Sequence, residues 1–513
     1  MSAIKKLVGQ TATYGFSSIV GRLLNFLLVP LYTRIFETGE YGVVTELYAY
    51  VSFLNIVFTY GLETAYFRFF QTENGSQKVY STSVISIVAS SLSLVFVILL
   101  FSNPIAGWIN QGHHDVSTLS TYISWFAFII AADAISAIPF AKLRQENRAR
   151  RFVIIRLISI GVNIGMNVFF LVLCPKLING SFHGFINLFY DPSIGIGYVF
   201  ISTLVSSIIT LLLLSPELFS IRFQFDKTLW RRMMLYAFPL MIAGFAGMIN
   251  ETFDRILLPR LIADKSIALA ETGIYGACYK ISILMTLFIQ TFRYAAEPFF
   301  FSQSAYPNAK ETYAKVMHYF VLACSFIFLC IMMYIDVVKY FIGEEYRVGL
   351  KIVPVLLMAN LCIGVYYNLS IWYRLTGQTR WGAWIAIAGA IITLSFNFWL
   401  IPVLGYMGAA WATLICYFSM MAISYAGGQK YYHVQYNIKS FVLYVFSALL
   451  LYLISDYVRQ SFQCTEKGML MINTVLLMVF LLIAFVYERG KNSYLRILYR
   501  KVPVKKEEDK NST

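Results

Sequence analysis

The sequence reads ETGEYG at residues 37–42 and ETGIYG at residues 271–276, so one short motif occurs twice. The preceding segments also match, with LLVPLYTRIF at 27–36 against LLPRLI at 257–262. Two further pairs lie at offsets of 230 to 234 residues: KLRQENR (142–148) with RLTGQTR (374–380), and NVFF (167–170) with NFWL (397–400). The sequence therefore predicts two halves built on one plan. In membrane proteins this is typical of two helical bundles facing a substrate path.

The composition is that of a membrane protein. Hydrophobic residues make up 58% of the 513 residues and charged residues only 13%, with a mean hydropathy of +0.66. Soluble domains carry about a quarter charged residues. Apolar runs of about 20 residues recur along the chain, and each can cross roughly 30 Å of hydrocarbon as a helix. The predicted fold class is an all-α polytopic membrane protein.

The apolar runs predict about fourteen transmembrane helices. They lie near residues 11–33, 42–70, 80–103, 118–141, 153–175, 193–215, 233–257, 273–297, 316–336, 350–372, 383–400, 408–428, 440–456 and 469–487. An even number of spans places both termini on the same side of the membrane.

The distribution of Lys and Arg predicts which side that is. Of 41 such residues, 26 lie in the termini and in the connections on their side, against 8 in the opposite connections. The positive-inside rule then places both termini in the cytoplasm. The same bias explains the net charge of +15, so we expect contact with anionic membrane lipids and no nucleic-acid partner.

Neither a metal site nor a cofactor site is predicted. The seven cysteines form no CxxC pair, and most lie in apolar runs as small packing residues. His113 and His114 are adjacent but have no ligand partners nearby in the sequence. The longest outer connection covers only about residues 176–192, which leaves no room for an extramembrane catalytic domain.

Ionisable residues inside predicted spans are the candidate functional residues, because each costs about 2.5–3.5 kcal/mol unless paired or solvated. Most lie in spans 1, 2, 7 and 8, which are equivalent positions in the two halves. This clustering indicates a polar cavity between two lobes. The residues are Arg22, Glu46, Glu63, Arg68, Asp133 and Arg156 in the first half, and Glu251, Asp254, Arg255, Lys280, Arg293, Glu297 and Asp336 in the second.

The basic residues within the predicted spans predict an anionic ligand, since a guanidinium offers two parallel charge-assisted hydrogen bonds to a phosphate. Arg22 and Asn25 share one face of span 1. The predicted substrate-binding residues are Arg22, Asn25, Arg68, Arg255, Lys280 and Arg293, and the predicted ion-coupling or gating residues are Glu46, Glu63, Glu251 and Asp254.

Structural interpretations of the same residues stay open. Asp254 and Arg255 form either a functional or a purely structural pair, and Arg293 and Glu297, four residues apart, could pair within span 8. Glu46 and Glu63 are about 25 Å apart if span 2 is one straight helix. Snorkelling to the interface is sufficient to account for four residues near span ends: Arg68, Arg156, Glu297 and Asp336.

Several motifs spread over essentially the whole chain point to one family. They are Arg22, LYTRIFETGEYG (31–42), GLETAYFR (61–68), YAFPL (236–240), DRILL (254–258), GIYGACYK (273–280) and EP (297–298). With these motifs the chain resembles the Wzx-type polysaccharide flippases of the multidrug/oligosaccharidyl-lipid/polysaccharide exporter superfamily. The lipid II flippases of that superfamily have a fuller set of arginines in spans 1 and 2 than this chain.

The resemblance implies two pseudosymmetric six-helix lobes, at residues 1–220 and 233–428. Two additional helices would follow within 440–487, and then a basic cytoplasmic tail at 488–513. It also implies alternating access that moves an undecaprenyl-diphosphate-linked oligosaccharide to the outer leaflet of the bacterial inner membrane. The product would be O-antigen of lipopolysaccharide, capsule or exopolysaccharide. A polysaccharide polymerase and glycosyltransferases are the implied partners.

Two other functions are compatible with a polytopic membrane protein. A cation-coupled drug antiporter of the same superfamily would place a carboxylate deep in span 1, where this chain has Arg22 and no Asp or Glu. A membrane polymerase or ligase would need a large outer loop with catalytic residues, and none is predicted. We therefore expect a transporter rather than an enzyme.

Overall fold

The computed structural model describes residues 21–500 except 22, 25, 74–76, 111–114, 179–185, 187–188, 223 and 462–464, with side chains up to residue 490. The described residues contain helices and no strands. Their α-helices of five residues or more are α1 Val29–Ile35, α2 Thr38–Thr59, α3 Leu62–Thr72, α4 Gln77–Leu100, α5 Ser102–Ile109, α6 Val116–Gln145, α7 Ala149–Val168, α8 Gly197–Leu213, α9 Ser215–Phe219, α10 Lys227–Thr252, α11 Asp254–Leu261, α12 Lys265–Gln303, α13 Ala309–Met333, α14 Val353–Leu369, α15 Ile371–Leu375, α16 Arg380–Leu404, α17 Tyr406–Tyr431, α18 Ile438–Ser461 and α19 Glu466–Arg500.

These helices confirm the predicted fold class. Twelve helical segments of the described residues are long and apolar enough to cross a membrane, and the shorter α8 is also apolar. Together they account for thirteen of the fourteen predicted spans. Most of the first predicted span, 11–33, lies outside the described residues. The chain is a multi-pass membrane protein.

The second predicted span is two helices rather than one. Tyr60 and Gly61 both have positive φ angles, of 34° and 71°, and this left-handed pair separates α2 from α3. A Cβ atom on Gly61 would also lie 3.1 Å from the carbonyl oxygen of Ala237 in α10. The straight-helix spacing expected between Glu46 and Glu63 therefore does not apply, because the helix is interrupted between them.

Span 6 also begins later than predicted. Asp191 caps a short 3₁₀ turn at Pro192–Ile194, with its carboxylate accepting from the Ser193 N–H at 2.9 Å. Gly195 follows with a φ angle of 50°. The capped turn and the left-handed glycine lie outside the α-helix, so α8 begins only at Gly197.

The described residues form two compact units. The first comprises the residues up to 309 together with 339–434, and the second comprises 310–338 together with those from 435 onward. The division of the chain into lobes at 1–220 and 233–428 stays a prediction.

Hydrogen bonds between helices stabilise the second unit. The Asn473 amide of α19 donates to the carbonyl of Met333 at 2.6 Å and accepts from Ser455 of α18 at 2.6 Å. Arg459 of α18 pairs with Asp336 at 3.0 Å. Helices α18 and α19, the two additional helices implied by the resemblance, therefore pack with α13.

Candidate functional site

The two copies of the repeated motif lie against each other. Gly42 is in the first turns of α2 and Gly273 is in α12. A Cβ atom on Gly42 would lie 2.0 Å from the carbonyl oxygen of Leu269, and one on Gly273 would lie 2.0 Å from that of Thr38. Only glycine allows two helix backbones to approach this closely. We call this contact, formed by Thr38, Gly42, Thr45, Leu269, Gly273 and Gly276, the glycine seam.

Local caps set where the two seam helices begin. Glu37 and Glu40 form a capping box at the start of α2, which satisfies free N–H groups there. Asp264 caps α12, and its carboxylate accepts from the side chain and the N–H of Ser266. These hydrogen bonds hold the pKa of Asp264 below its usual value.

Further contacts close the same end of the molecule. The Tyr346 hydroxyl donates to the carbonyl oxygens of Phe36 at 2.9 Å and Glu37 at 3.0 Å. The Gly343 N–H donates to the Thr33 hydroxyl at 3.0 Å. The charge bias predicts that these segments face outward, so the two halves are joined on the predicted external side.

A charged centre forms where α10 ends and α11 begins. Asp254 is only 3% exposed, and its carboxylate accepts a hydrogen bond from the Tyr275 hydroxyl. Arg255 lies 3.8 Å from Asp254 and 4.0 Å above the ring of Tyr279. A guanidinium held between a carboxylate and an aromatic face is fixed in position by both.

Two other predicted residues belong to this centre. The Arg255 Nη1 donates to the backbone carbonyl of Glu251 at 2.9 Å, while the Glu251 side chain is exposed. Lys280, half-buried in α12, interacts electrostatically with Arg255. The structure thus brings together Glu251, Asp254, Arg255 and Lys280.

Glu46 lies in a different group, on α2. It is 4% exposed and accepts a hydrogen bond from Tyr50 at 3.2 Å. Arg260 of α11 donates to the same Tyr50 hydroxyl at 2.7 Å and lies 3.8 Å above the ring of Trp108. Arg260 therefore links the two halves near the glycine seam. Arg260 was not among the predicted functional residues, because it falls just beyond the predicted span at 233–257.

A small open cleft lies between α12 and α14–α15. Arg293 of α12 lies 4.9 Å from the ring of Tyr367 in α14. Glu297 pairs with Arg374 of α15, and not with Arg293 as the four-residue spacing suggested. Arg374 was not among the predicted functional residues, although it is the first residue of RLTGQTR, the stretch that matches KLRQENR in the first half.

The remaining predicted residues lie apart from these groups. Arg68 is exposed and stacks 4.2 Å above the ring of Tyr236. Glu63 pairs with Arg144 at the end of α6. Arg22 and Asn25 lie outside the described residues. Within the described part of the chain, no three His, Cys, Asp or Glu side chains lie close enough together to hold a metal ion.

Comparisons with known proteins identify a family and a fold. A family model described as "polysaccharide biosynthesis protein" matches residues 7–304. No curated protein sequence matches the chain. The structure is similar to "Lipid II flippase MurJ, inward closed conformation", with a TM-score of 0.67 and 15% identity over 93% of this chain and 98% of that one.

The fold is also shared with multidrug transporters. The structure titled "Inward-facing conformation of a multidrug resistance MATE family transporter of the MOP superfamily" has a TM-score of 0.60 and 14% identity, over 82% of this chain and 94% of that one. Its outward-facing counterpart has a TM-score of 0.56 and 15% identity, over 83% and 94%. At these identities the similarity shows the fold alone.

Proposed function

This chain belongs to the polysaccharide biosynthesis protein family, and we propose that it is a flippase for an undecaprenyl-diphosphate-linked oligosaccharide repeat unit. It would move this unit from the inner to the outer leaflet of the bacterial cytoplasmic membrane. The observation that carries the proposal is the presence of basic side chains on helices of a flippase fold: Arg255, Lys280, Arg293 and Arg374. Cationic groups suit a diphosphate.

The mechanism is alternating access between lobes 1–220 and 233–428. The diphosphate and sugars enter between the lobes from the cytoplasm, while the prenyl tail stays in lipid. The glycine seam and the Arg260–Tyr50–Glu46 chain close the outer side in this conformation. Rocking of the lobes separates them and exposes the head group outward. The proposed gating or ion-coupling residues are Glu46, Glu63, Glu251 and Asp254.

A drug antiporter is the second candidate, because the multidrug transporters share the fold. Buried carboxylates at Glu46 and Asp254 would suit cation coupling. Against it, residues 11–33 contain no Asp or Glu. Export of a cationic dye against its gradient, driven by protons or sodium, would favour this candidate over the flippase.

Arg22→Ala is expected to abolish flipping, because the resemblance places this arginine in the cavity that receives the diphosphate. A fluorescent undecaprenyl-diphosphate oligosaccharide in proteoliposomes reports leaflet access. Arg347→Ala is the matched control, since Arg347 lies 5.0 Å from the ring of Tyr340 on the predicted outer side. Failure of the wild type to flip the lipid would count against the proposed function.

Flipping in proteoliposomes is expected to accelerate when the membrane potential is negative on the side that faces the cytoplasmic side of the protein. An anion moving outward gains about 2.3 kcal/mol per charge per 100 mV, so two phosphate charges gain roughly 4–5 kcal/mol. A potassium gradient with valinomycin sets the potential while the fluorescent lipid is followed. The same rate with and without the potential would mean that it does not drive transport.

A further inference from the structure

The cleft between α12 and α14–α15 has an excess of positive charge. Two arginines, Arg293 and Arg374, line it with one carboxylate, Glu297. The guanidiniums are close enough to interact electrostatically with each other. Glu297 pairs with Arg374, and within the described part of the chain Arg293 has no carboxylate partner. Two cations in one cleft with a single counter-charge attract an anion.

The other half of the chain contains a similar carboxylate–arginine pair that has no second arginine at the matching sequence position. Glu63, which stands 234 residues before Glu297, pairs with Arg144 at the end of α6. The side-chain exposures match, at 39% and 34% for Glu63 and Arg144 against 41% and 30% for Glu297 and Arg374. The residue equivalent to Arg293 is Thr59. The second arginine is therefore particular to the cleft.

Uncharged groups also line the cleft, and they suit a sugar attached to the bound anion. The Arg293 guanidinium lies over one face of the Tyr367 ring, and this contact positions the guanidinium in the cleft. The Asn368 Oδ1 is buried and has no hydrogen-bond donor among the described residues, so a ligand hydroxyl would satisfy it. Phe292 and Phe300 add an apolar wall.

We propose that Arg293 and Arg374 form a diphosphate-binding site in this cleft, and that Glu297 is a placeholder that the diphosphate displaces from Arg374. The site deepens the proposed function and rests on it. The charge bias puts the cleft at the cytoplasmic end of α12, where a lipid-linked diphosphate would enter. In the empty protein, Glu297 keeps Arg374 oriented. When the ligand binds, its phosphates accept hydrogen bonds from both guanidiniums, and a hydroxyl of the first sugar donates to Asn368.

A placeholder and a structural pair predict opposite effects of removing the carboxylate. Glu297→Gln frees Arg374 and is expected to tighten diphosphate binding by about threefold or more. Arg374→Gln and Arg293→Gln are each expected to weaken it by at least about tenfold, the scale of a hydrogen bond to a charged group. Arg144→Gln breaks the similar Glu63–Arg144 pair in the other half and is expected to leave diphosphate binding unchanged.

The measurement is a titration of the full chain in lipid nanodiscs. The probes are farnesyl diphosphate, inorganic pyrophosphate and uncharged farnesol. Tighter binding of farnesyl diphosphate than of pyrophosphate supports a lipid headgroup as the ligand, and equal binding of the two overturns that assignment. Farnesol binding as tightly as farnesyl diphosphate would show that the anion is not recognised.

The outcome for Glu297→Gln decides the proposal. Weaker binding in Glu297→Gln, or wild-type binding in Arg374→Gln, overturns it and leaves the pair structural. The proposed function is tested separately by the leaflet assay. Flipping by the wild type combined with no effect of Glu297→Gln on affinity would reject the placeholder alone. The predicted binding pattern without any flipping would reject the flippase function alone.

Discussion

Gly273→Ala is expected to reduce flipping by about fivefold or more. Its new Cβ atom would meet the carbonyl oxygen of Thr38 at 2.0 Å, and a backbone atom cannot turn aside as a side chain can. The helices α2 and α12 must then move apart. Overpacking of this kind costs about 1–3 kcal/mol, and about 1.4 kcal/mol is a tenfold change in population. The conformation that is closed on the outer side would be depleted, and transport that cycles through it would slow.

Gly39→Ala is the matched control on the same helix. A Cβ atom on Gly39 has nothing within 4 Å, and alanine favours a helix over glycine by up to about 1 kcal/mol. This variant should therefore flip the lipid like the wild type. The leaflet assay in proteoliposomes compares the two at equal reconstituted amounts. Equal rates for Gly273→Ala and Gly39→Ala would show that transport does not require the glycine seam to close.

Arg255→Gln is expected to lower both the melting temperature and the flipping rate. The substitution leaves Asp254, whose side chain is only 5% exposed, without its cation. Breaking a buried pair from one side costs about 3–5 kcal/mol because it leaves an uncompensated charge. Thermal unfolding of the purified protein in detergent measures the first effect, and the leaflet assay measures the second.

The double variant Asp254→Asn/Arg255→Gln separates the structural role from the functional one. It removes both charges, and hence the uncompensated carboxylate, so most of the lost stability should return. Flipping should stay below about a tenth of the wild-type rate, since the charge-assisted hydrogen bonds to the phosphate are still missing. Wild-type flipping by the stable double variant would make the pair a structural one.

Local sequence signals predicted the fold class and most of the spans. Apolar runs report membrane helices because a buried backbone must satisfy its hydrogen bonds within the helix. The same signals did not predict the break between α2 and α3. There, Tyr60 and Gly61 adopt a left-handed backbone conformation, and Gly61 lies close to the backbone of α10. That break depends on the close approach of α10, which is more than a hundred residues away along the chain.

The sequence showed that charged side chains lie within spans, and the tertiary structure decided their partners. The four-residue spacing suggested that Arg293 pairs with Glu297, yet Glu297 pairs with Arg374, 77 residues away. Arg260 reaches Tyr50 across 210 residues. Helical periodicity relates neighbours on one helix, whereas these pairs depend on which helices pack together.

The repeated motif shows the same division. By themselves, ETGEYG and ETGIYG established that the chain consists of two related halves. Only the packed helices show that the glycines of the two copies face each other, with backbone atoms in direct contact. A sequence records which residues are small enough to allow such an approach, but the approach itself is a distance between two helices, and packing alone sets it.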